Sequence, residues 1–443
     1  MQQNRLDMYS IGIATGDITP EVGAPLCGFA ARGRHTSTGV YHPLRTVAAA
    51  IHDGKTAIII LSAEIVFFES IADRVRNAIR QETGVPNANI ILSGTHTHCG
   101  PSVRTKDIES FGWIDHEYVH RAIMVMARTA SIAWRNRFDA RLTFGLGHCD
   151  FAVSRRKPDP ENSENVLWAP DPEGPHDHEV SVLSIEDLAG VPRGIFFNYA
   201  CHPTSRGGLL IGGDYPGFAY DRIQEAFGFA QPAFLQGCGA DQKPMPADPN
   251  AQGFPWRTVE QVRDIGNQLG DAVIETIENG DMQPITGAID MRQSVIDLFT
   301  EPLDKARVAA ELKSEADFKK RWARYHKQRL DAGLPEEREV PFEIQTLRFG
   351  DSLAVVALAA EAVVEHALRM KKELRPRFGN VLPLAYANDV IGYVPAKRQL
   401  DQWGYEVLFA NQYRYRTGRF TGDTEDRIHE HVACMLEASE QAR

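Results

Sequence analysis

The chain has 443 residues, 43% of them hydrophobic and 24% charged, the balance of a soluble globular protein able to bury a sizeable core. A formal net charge of −11 at pH 7 argues against nucleic-acid binding and against adhesion to an anionic membrane surface. No apolar run approaches the roughly 20 residues that span a bilayer. The polar start, residues 1–7, has no secretory h-region, and the six scattered cysteines form neither C-x-x-C nor a disulfide framework; a cytoplasmic location is expected.

In chain order, apolar runs predict strands over 46–51, 56–61, 90–92, 141–147, 179–185, 194–198, 233–235, 286–295, 342–349 and 353–357. Apolar residues at three- and four-residue spacing predict helices over 70–82, 116–135, 216–227, 259–278, 302–332 and 362–374. This interleaving indicates an α/β layered fold with a mixed sheet. There is no internal repeat and no convincing linker, so 1–443 reads as one domain with a helical, charged insertion at about 302–332. That insertion reads as a solvated helix face rather than a basic docking helix. Two long polar stretches, 157–177 and 245–257, read as loops of the kind that often form functional lids.

The most informative run is Ile90-Ile91-Leu92-Ser93-Gly94-Thr95-His96-Thr97-His98-Cys99-Gly100-Pro101. Side chains alternate faces along a strand, so His96 and His98 project to the same side, where two imidazoles serve one site as metal ligand or proton carrier. Three further segments run from an apolar strand into a chemistry-bearing residue. His202 follows 194–198 and is pinned by Pro203; Glu361 follows 353–357; Tyr393 lies in Asn388-Asp389-Val390-Ile391-Gly392-Tyr393-Val394-Pro395. Sites in open α/β sheets form beyond the carboxyl ends of strands, so these four residues are candidates to converge. Two imidazoles and a carboxylate make a familiar zinc ligand set that leaves room for water. Spacing alone leaves two readings open, a metal site or histidines that hydrogen-bond loop backbone.

The chain resembles the catalytic domain of the neutral/alkaline, non-lysosomal ceramidase family. The likeness rests on Gly12-Ile13-Ala14-Thr15-Gly16-Asp17-Ile18-Thr19-Pro20, on Thr95-His96-Thr97-His98-Cys99-Gly100-Pro101, and on Val153-Ser154-Arg155-Arg156. It continues through Asn198-Tyr199-Ala200-Cys201-His202-Pro203-Thr204, Asp214-Tyr215-Pro216-Gly217, Gln236-Gly237-Cys238-Gly239-Ala240-Asp241-Gln242, Ala360-Glu361 and Gly404-Tyr405-Glu406. The resemblance implies a layered catalytic domain holding one zinc ion per chain, with His96, His202, Glu361 and Tyr393 as ligands. It implies His98 as the proton-handling neighbour, Tyr405 as oxyanion stabiliser, and Arg155 as a partner for a substrate or product carboxylate oxygen.

Two departures bear on substrate. Where ceramidases carry a serine in G-D-x-S-P, this chain reads Ala240-Asp241-Gln242-Lys243-Pro244, so a seryl nucleophile is excluded there. The chain also ends about fifty residues past the tyrosine elements, and neither a C-terminal β-sandwich nor a lipid-inserting helix is expected. With Arg155, Arg206 and Lys243 near the motifs, the expected substrate is a small, soluble, anionic amide. The alternatives are an ester or lactone hydrolase on the same site and a non-catalytic metal-binding protein. A serine hydrolase lacks its G-x-S-x-G elbow. Oligomeric state is not legible.

Overall fold

The computed structural model describes residues 8–104, 113–162 and 164–441; the polar start read above, 1–7, lies outside them. Its architecture is two packed β-sheets with helices on both outer faces. The larger sheet runs Gln231–Gln236, Pro192–Tyr199, Glu179–Asp187, Phe138–His148, Tyr9–Asp17, Arg45–His52, Ala57–Ala63 and Ile90–Gly94 from edge to edge. Most pairings are antiparallel, but the last two strands at each edge run parallel. The smaller sheet, Ile289–Phe299, Glu339–Phe349, Leu353–Leu358 and Asn380–Leu384, also ends in a parallel pair.

Period-2 alternation assigns each strand two faces. Val47, Ala49, Ile58, Ile60 and Ile91 meet Leu347, Leu353, Val355 and Leu382 in the core between the sheets. Their neighbours Ala48, Ala50, Ile59, Leu61 and Leu92 turn outward onto helices Ala72–Thr83 and His116–Arg135. Helices Asp214–Phe227 and Val259–Asn279 cover the other half of the large sheet. Val364–Phe378 and Thr424–Gln441 cover the small one. The α/β layered, mixed-sheet class is the one the residues predict.

Three differences from the sequence reading have physical causes. The 157–177 stretch is not simply a loop: its strand Val166–Asp171 pairs antiparallel with Ala152–Pro158, the strand that leads into it. The predicted helix 302–332 is two helices, Lys305–Glu311 and Asp317–Asp331. At the break the Ser314 hydroxyl accepts from Ala316 N at 3.2 Å, a local bond that competes with the helical ladder. Finally, the segment 385–388 joins the two edges of the large sheet. Ala385 N donates to Gln236 O at 3.0 Å and Asn388 N to Leu92 O at 2.9 Å. This stitch draws the ends of strands from both sheets to one place. Among the described residues no helix is long and apolar enough to cross a membrane.

Candidate active site

His96 lies two residues past the strand Ile90–Gly94, with φ at +68°. The strand has ended before the histidine pair, so alternation along a strand is not what joins the two rings. A left-handed bend at His96, a costly conformation for a non-glycine residue, brings its Nε2 to 3.0 Å from His98 Nε2. The ligating atoms of His96, His98 and His202 all lie within 4.8 Å of one another. Gly28, at φ +104°, backs this pair: a Cβ there would stand 2.4 Å from His98 Cγ, so only glycine fits.

Glu361 and Tyr393 pair in a separate two-residue parallel ladder, Glu361–Ala362 with Tyr393–Val394, with Glu361 N donating to Gly392 O at 2.8 Å. The Glu361 carboxylate oxygen stands 3.4 Å from His96 Nε2 and 3.7 Å from His202 Nε2. The Tyr393 hydroxyl is 3.3 Å from His202 Nε2. Donors bound at about 2.0–2.1 Å around a tetrahedral ion sit roughly 3.3–3.4 Å apart; two of these three separations match that spacing and the third, at 3.7 Å, is slightly longer.

The remote ring nitrogens sort the histidines. His96 Nδ1 faces Val66 O at 3.0 Å and His202 Nδ1 faces Gly239 O at 2.7 Å, the carbonyl contacts that orient metal-ligating imidazoles. His98 Nδ1 is buried with no partner among the described residues, and its ring packs edge-on against Phe29. His96 and His202 have the support of ligands; His98 does not. Burial lowers all three pKa values, that of His96 to about 3. For His98 the neighbouring His96 adds to burial; for His202 the Arg155 charge does. Neutral imidazoles are the form that binds a metal.

The opposite wall is held by charge. Arg155 Nε donates to Glu406 at 2.7 Å, Arg156 donates to the other Glu406 oxygen at 2.6 Å, and a terminal Arg155 nitrogen lies 3.3 Å from the Tyr393 hydroxyl. Burial alone would weaken the Arg155 charge, but Tyr393 and Glu406 outweigh it and raise the pKa. Burial and then Glu361 raise both the Tyr393 and Tyr405 phenols, keeping Tyr405 a proton-bearing donor at neutral pH. Trp168, from the hairpin that the sequence reads as loop, packs 4.3 Å from the Arg155 guanidinium and edge-on to Tyr405.

Neither Lys243 nor Arg206 lines the cleft, although the Lys243 charge reaches His98 and His202. Lys243 Nζ donates to Thr204 Oγ1 at 2.7 Å and Thr204 O at 3.2 Å. Arg206 donates to Arg257 O at 3.1 Å and lies over Tyr41. Among the described residues the cations lining the cleft are Arg104 and Arg414, beside His96, His98, Glu361, Tyr393 and Tyr405, and both pair with the Glu69 carboxylate. The sequence reading missed them, together with Trp168 and the clamp role of Glu406. Glu406 alone left a signal, as the last residue of the Gly-Tyr-Glu motif. The cysteines are all free. Burial pushes Cys99 up to about 12 and Cys201 well above its usual value, which disfavours a thiolate nucleophile.

A family model for the N-terminal region of neutral/alkaline non-lysosomal ceramidase matches residues 9–233, just over half of the chain. The chain belongs to that family. Among solved structures it is similar to a ceramidase complexed with C2, at 17% identity and a TM-score of 0.75 over 99% of this chain and 76% of that one. It is also similar to the neutral ceramidase of Pseudomonas aeruginosa, at 18% identity and a TM-score of 0.76 over 99% and 75%. At these identities the likeness establishes the fold. Family membership identifies the chain as a hydrolase, and its buried His96–His98–His202 group is able to hold a metal ion.

Proposed function

We propose that this chain is a zinc-dependent amidohydrolase cleaving a linear N-acyl amide bond of a small, soluble molecule, with one zinc ion per chain. The observation that carries it is the convergence of His96, His202, Glu361 and Tyr393 at tetrahedral ligand spacing beside an unanchored His98 and a protonated Tyr405. When bound, zinc supplies Lewis-acid chemistry, lowering the pKa of a water towards about 7 and polarising a carbonyl. His98 takes the water proton at Nε2 and delivers it to the leaving nitrogen. The Tyr405 hydroxyl donates to the oxygen on which charge develops. Arg155, fixed by Glu406, positions the Tyr393 hydroxyl and faces the substrate's carboxylate end.

A core that takes residues from both sheets supports reading the chain as a single catalytic unit.

The test is metal analysis of the purified protein with an amide, ester and lactone screen. His96→Ala or Glu361→Ala should lose the metal and at least about a thousandfold in kcat/KM; a variant keeping both sinks the site assignment. His98→Asn discriminates the ester or lactone reading. An amide needs its leaving nitrogen protonated, so amide turnover should fall about 10²-fold or more while an activated ester falls much less. Equal losses on both would favour the ester reading.

A further inference from the structure

Tyr386 lies inside the stitch that joins the two edges of the large sheet, and it takes no part in the proposed chemistry. It is fully buried, with φ at +54°. Asn388, two residues on, shares that backbone conformation and is of a type that tolerates it. Its side chain accepts from Leu92 N at 3.1 Å and donates to Gln345 Oε1 at 2.8 Å. A bulky aromatic residue is strained there, so the surrounding contacts have to hold it.

The backbone and the ring of Tyr386 both reach the candidate ligands. Its N–H donates to Ala360 O at 2.8 Å, next to Glu361, and its carbonyl accepts from Gly94 N at 3.3 Å, two residues before His96. The phenol ring lies against the His96 ring, with centroids 4.3 Å apart and planes inclined at 43°. It meets the His202 ring edge-on at 5.8 Å, and its hydroxyl oxygen stands 3.4 Å from His202 Nδ1. The carbonyls of Val66 and Gly239 each fix one nitrogen of an imidazole, which still lets the ring tilt about that bond. A packed aromatic surface removes this freedom. Burial, and then the Glu361 charge, hold the phenol well above its ordinary range, so it stands as a neutral wall.

We propose that Tyr386 is a positioning residue for the metal, an inference that rests on the zinc site proposed above. Its backbone ties the segments bearing His96 and Glu361 together, and its ring orients the His96 and His202 imidazoles before an ion arrives.

Tyr386→Phe and Tyr386→Leu separate the hydroxyl from the ring. Phe378→Leu is the control, in the same core cluster but at the far end of the helix that follows Glu361. Zinc affinity of the full chain is measured by competition with a chromophoric chelator. Tyr386→Leu should bind zinc at least about tenfold more weakly. Tyr386→Phe should stay within about threefold, because a contact of 3.4 Å contributes little. Phe378→Leu should lower Tm yet keep zinc affinity within about twofold. If Tyr386→Leu does not fold, Tyr386→Met carries the same expectation. Histidine ring NMR of the metal-free chain is the second readout. His96 and His202 should each give one sharp set of signals, doubled or broadened in Tyr386→Leu and unchanged in Phe378→Leu. The proposal is overturned by zinc affinity within about twofold in Tyr386→Leu, by an equal loss in Phe378→Leu, or by ring signals that Tyr386→Leu leaves sharp. If the unaltered chain binds no zinc, the zinc reading falls, and the metal-free ring signals decide whether Tyr386 orders the two imidazoles.

Discussion

The two walls of the catalytic cleft handle charge in opposite ways. On the histidine wall, burial strips the protons from His96, His98 and His202, leaving the Glu361 carboxylate among neutral rings. On the arginine wall, burial is overridden: Glu406 is held below the usual carboxylate range by Arg155 and Arg156, against the opposing effect of burial. The first wall is able to hold a cation. The second brings its own counter-ions and is complete as folded. A buried ionic cluster is tolerable only when paired and hydrogen-bonded, and a buried neutral cluster beside a carboxylate is the arrangement a divalent ion completes.

The contrast is tested most severely at Tyr405, the proposed oxyanion donor on the arginine wall. Tyr405→Phe should lower kcat by roughly 10²–10³-fold, the cost of one oxyanion donor, while metal content stays at the unaltered level. If kcat stays within about tenfold, Tyr405 only packs against Tyr393 and Trp168. Next comes Glu406→Gln, which leaves two buried guanidiniums with no carboxylate. Unfolding in denaturant should show a loss of about 3 kcal/mol, and metal affinity should be nearly unchanged if the walls are independent. A large loss of metal would join them into one unit.

The sequence exposed the histidine wall better than the arginine wall, and the reason is the range of the signals. Strand, histidine and breaker are contiguous in 90–101, so a local pattern announces the site even though a bend, rather than strand alternation, joins the rings. Glu361 and Tyr393 were each legible at a strand end, but the bridge between them spans 32 positions and no local pattern records it. Glu406 reaches back 251 positions to Arg155, and Trp168 sits in a polar stretch whose hairpin depends on pairing with Ala152–Pro158. The layered class followed from alternating periodicities. The split into two sheets did not, because strand order is set by the long-range stitch at 385–388. Ser314, which divides the insertion helix, shows the reverse case: a local bond too small to disturb an amphipathic pattern.

Lys243 stands between the two walls, and its titration separates their influence. Burial lowers its pKa from 10.5 to about 7, with the Arg155 charge adding to the effect and Asp214 opposing it. In the unfolded chain the same amine titrates near 10.5. Below about pH 7 it is protonated in both states, and the whole cost of burying the charge is present. Between about 7 and 10.5 the unfolded chain holds a proton that the folded chain has released, so stability rises with pH across that window. Lys243→Met removes the ammonium. The variant should therefore be more stable than the unaltered protein at pH 6.5, by about 2–4 kcal/mol after the lost Thr204 bonds are offset. The advantage should shrink steadily by pH 9.5 as the native amine becomes neutral. Because other titrating groups are common to both proteins, the difference in Tm measured at the two pH values isolates this one. A difference that does not change with pH would mean that Lys243 keeps its proton in the fold. The arginine wall would then extend to it, and the histidines would face a permanent positive charge that only a bound anion relieves.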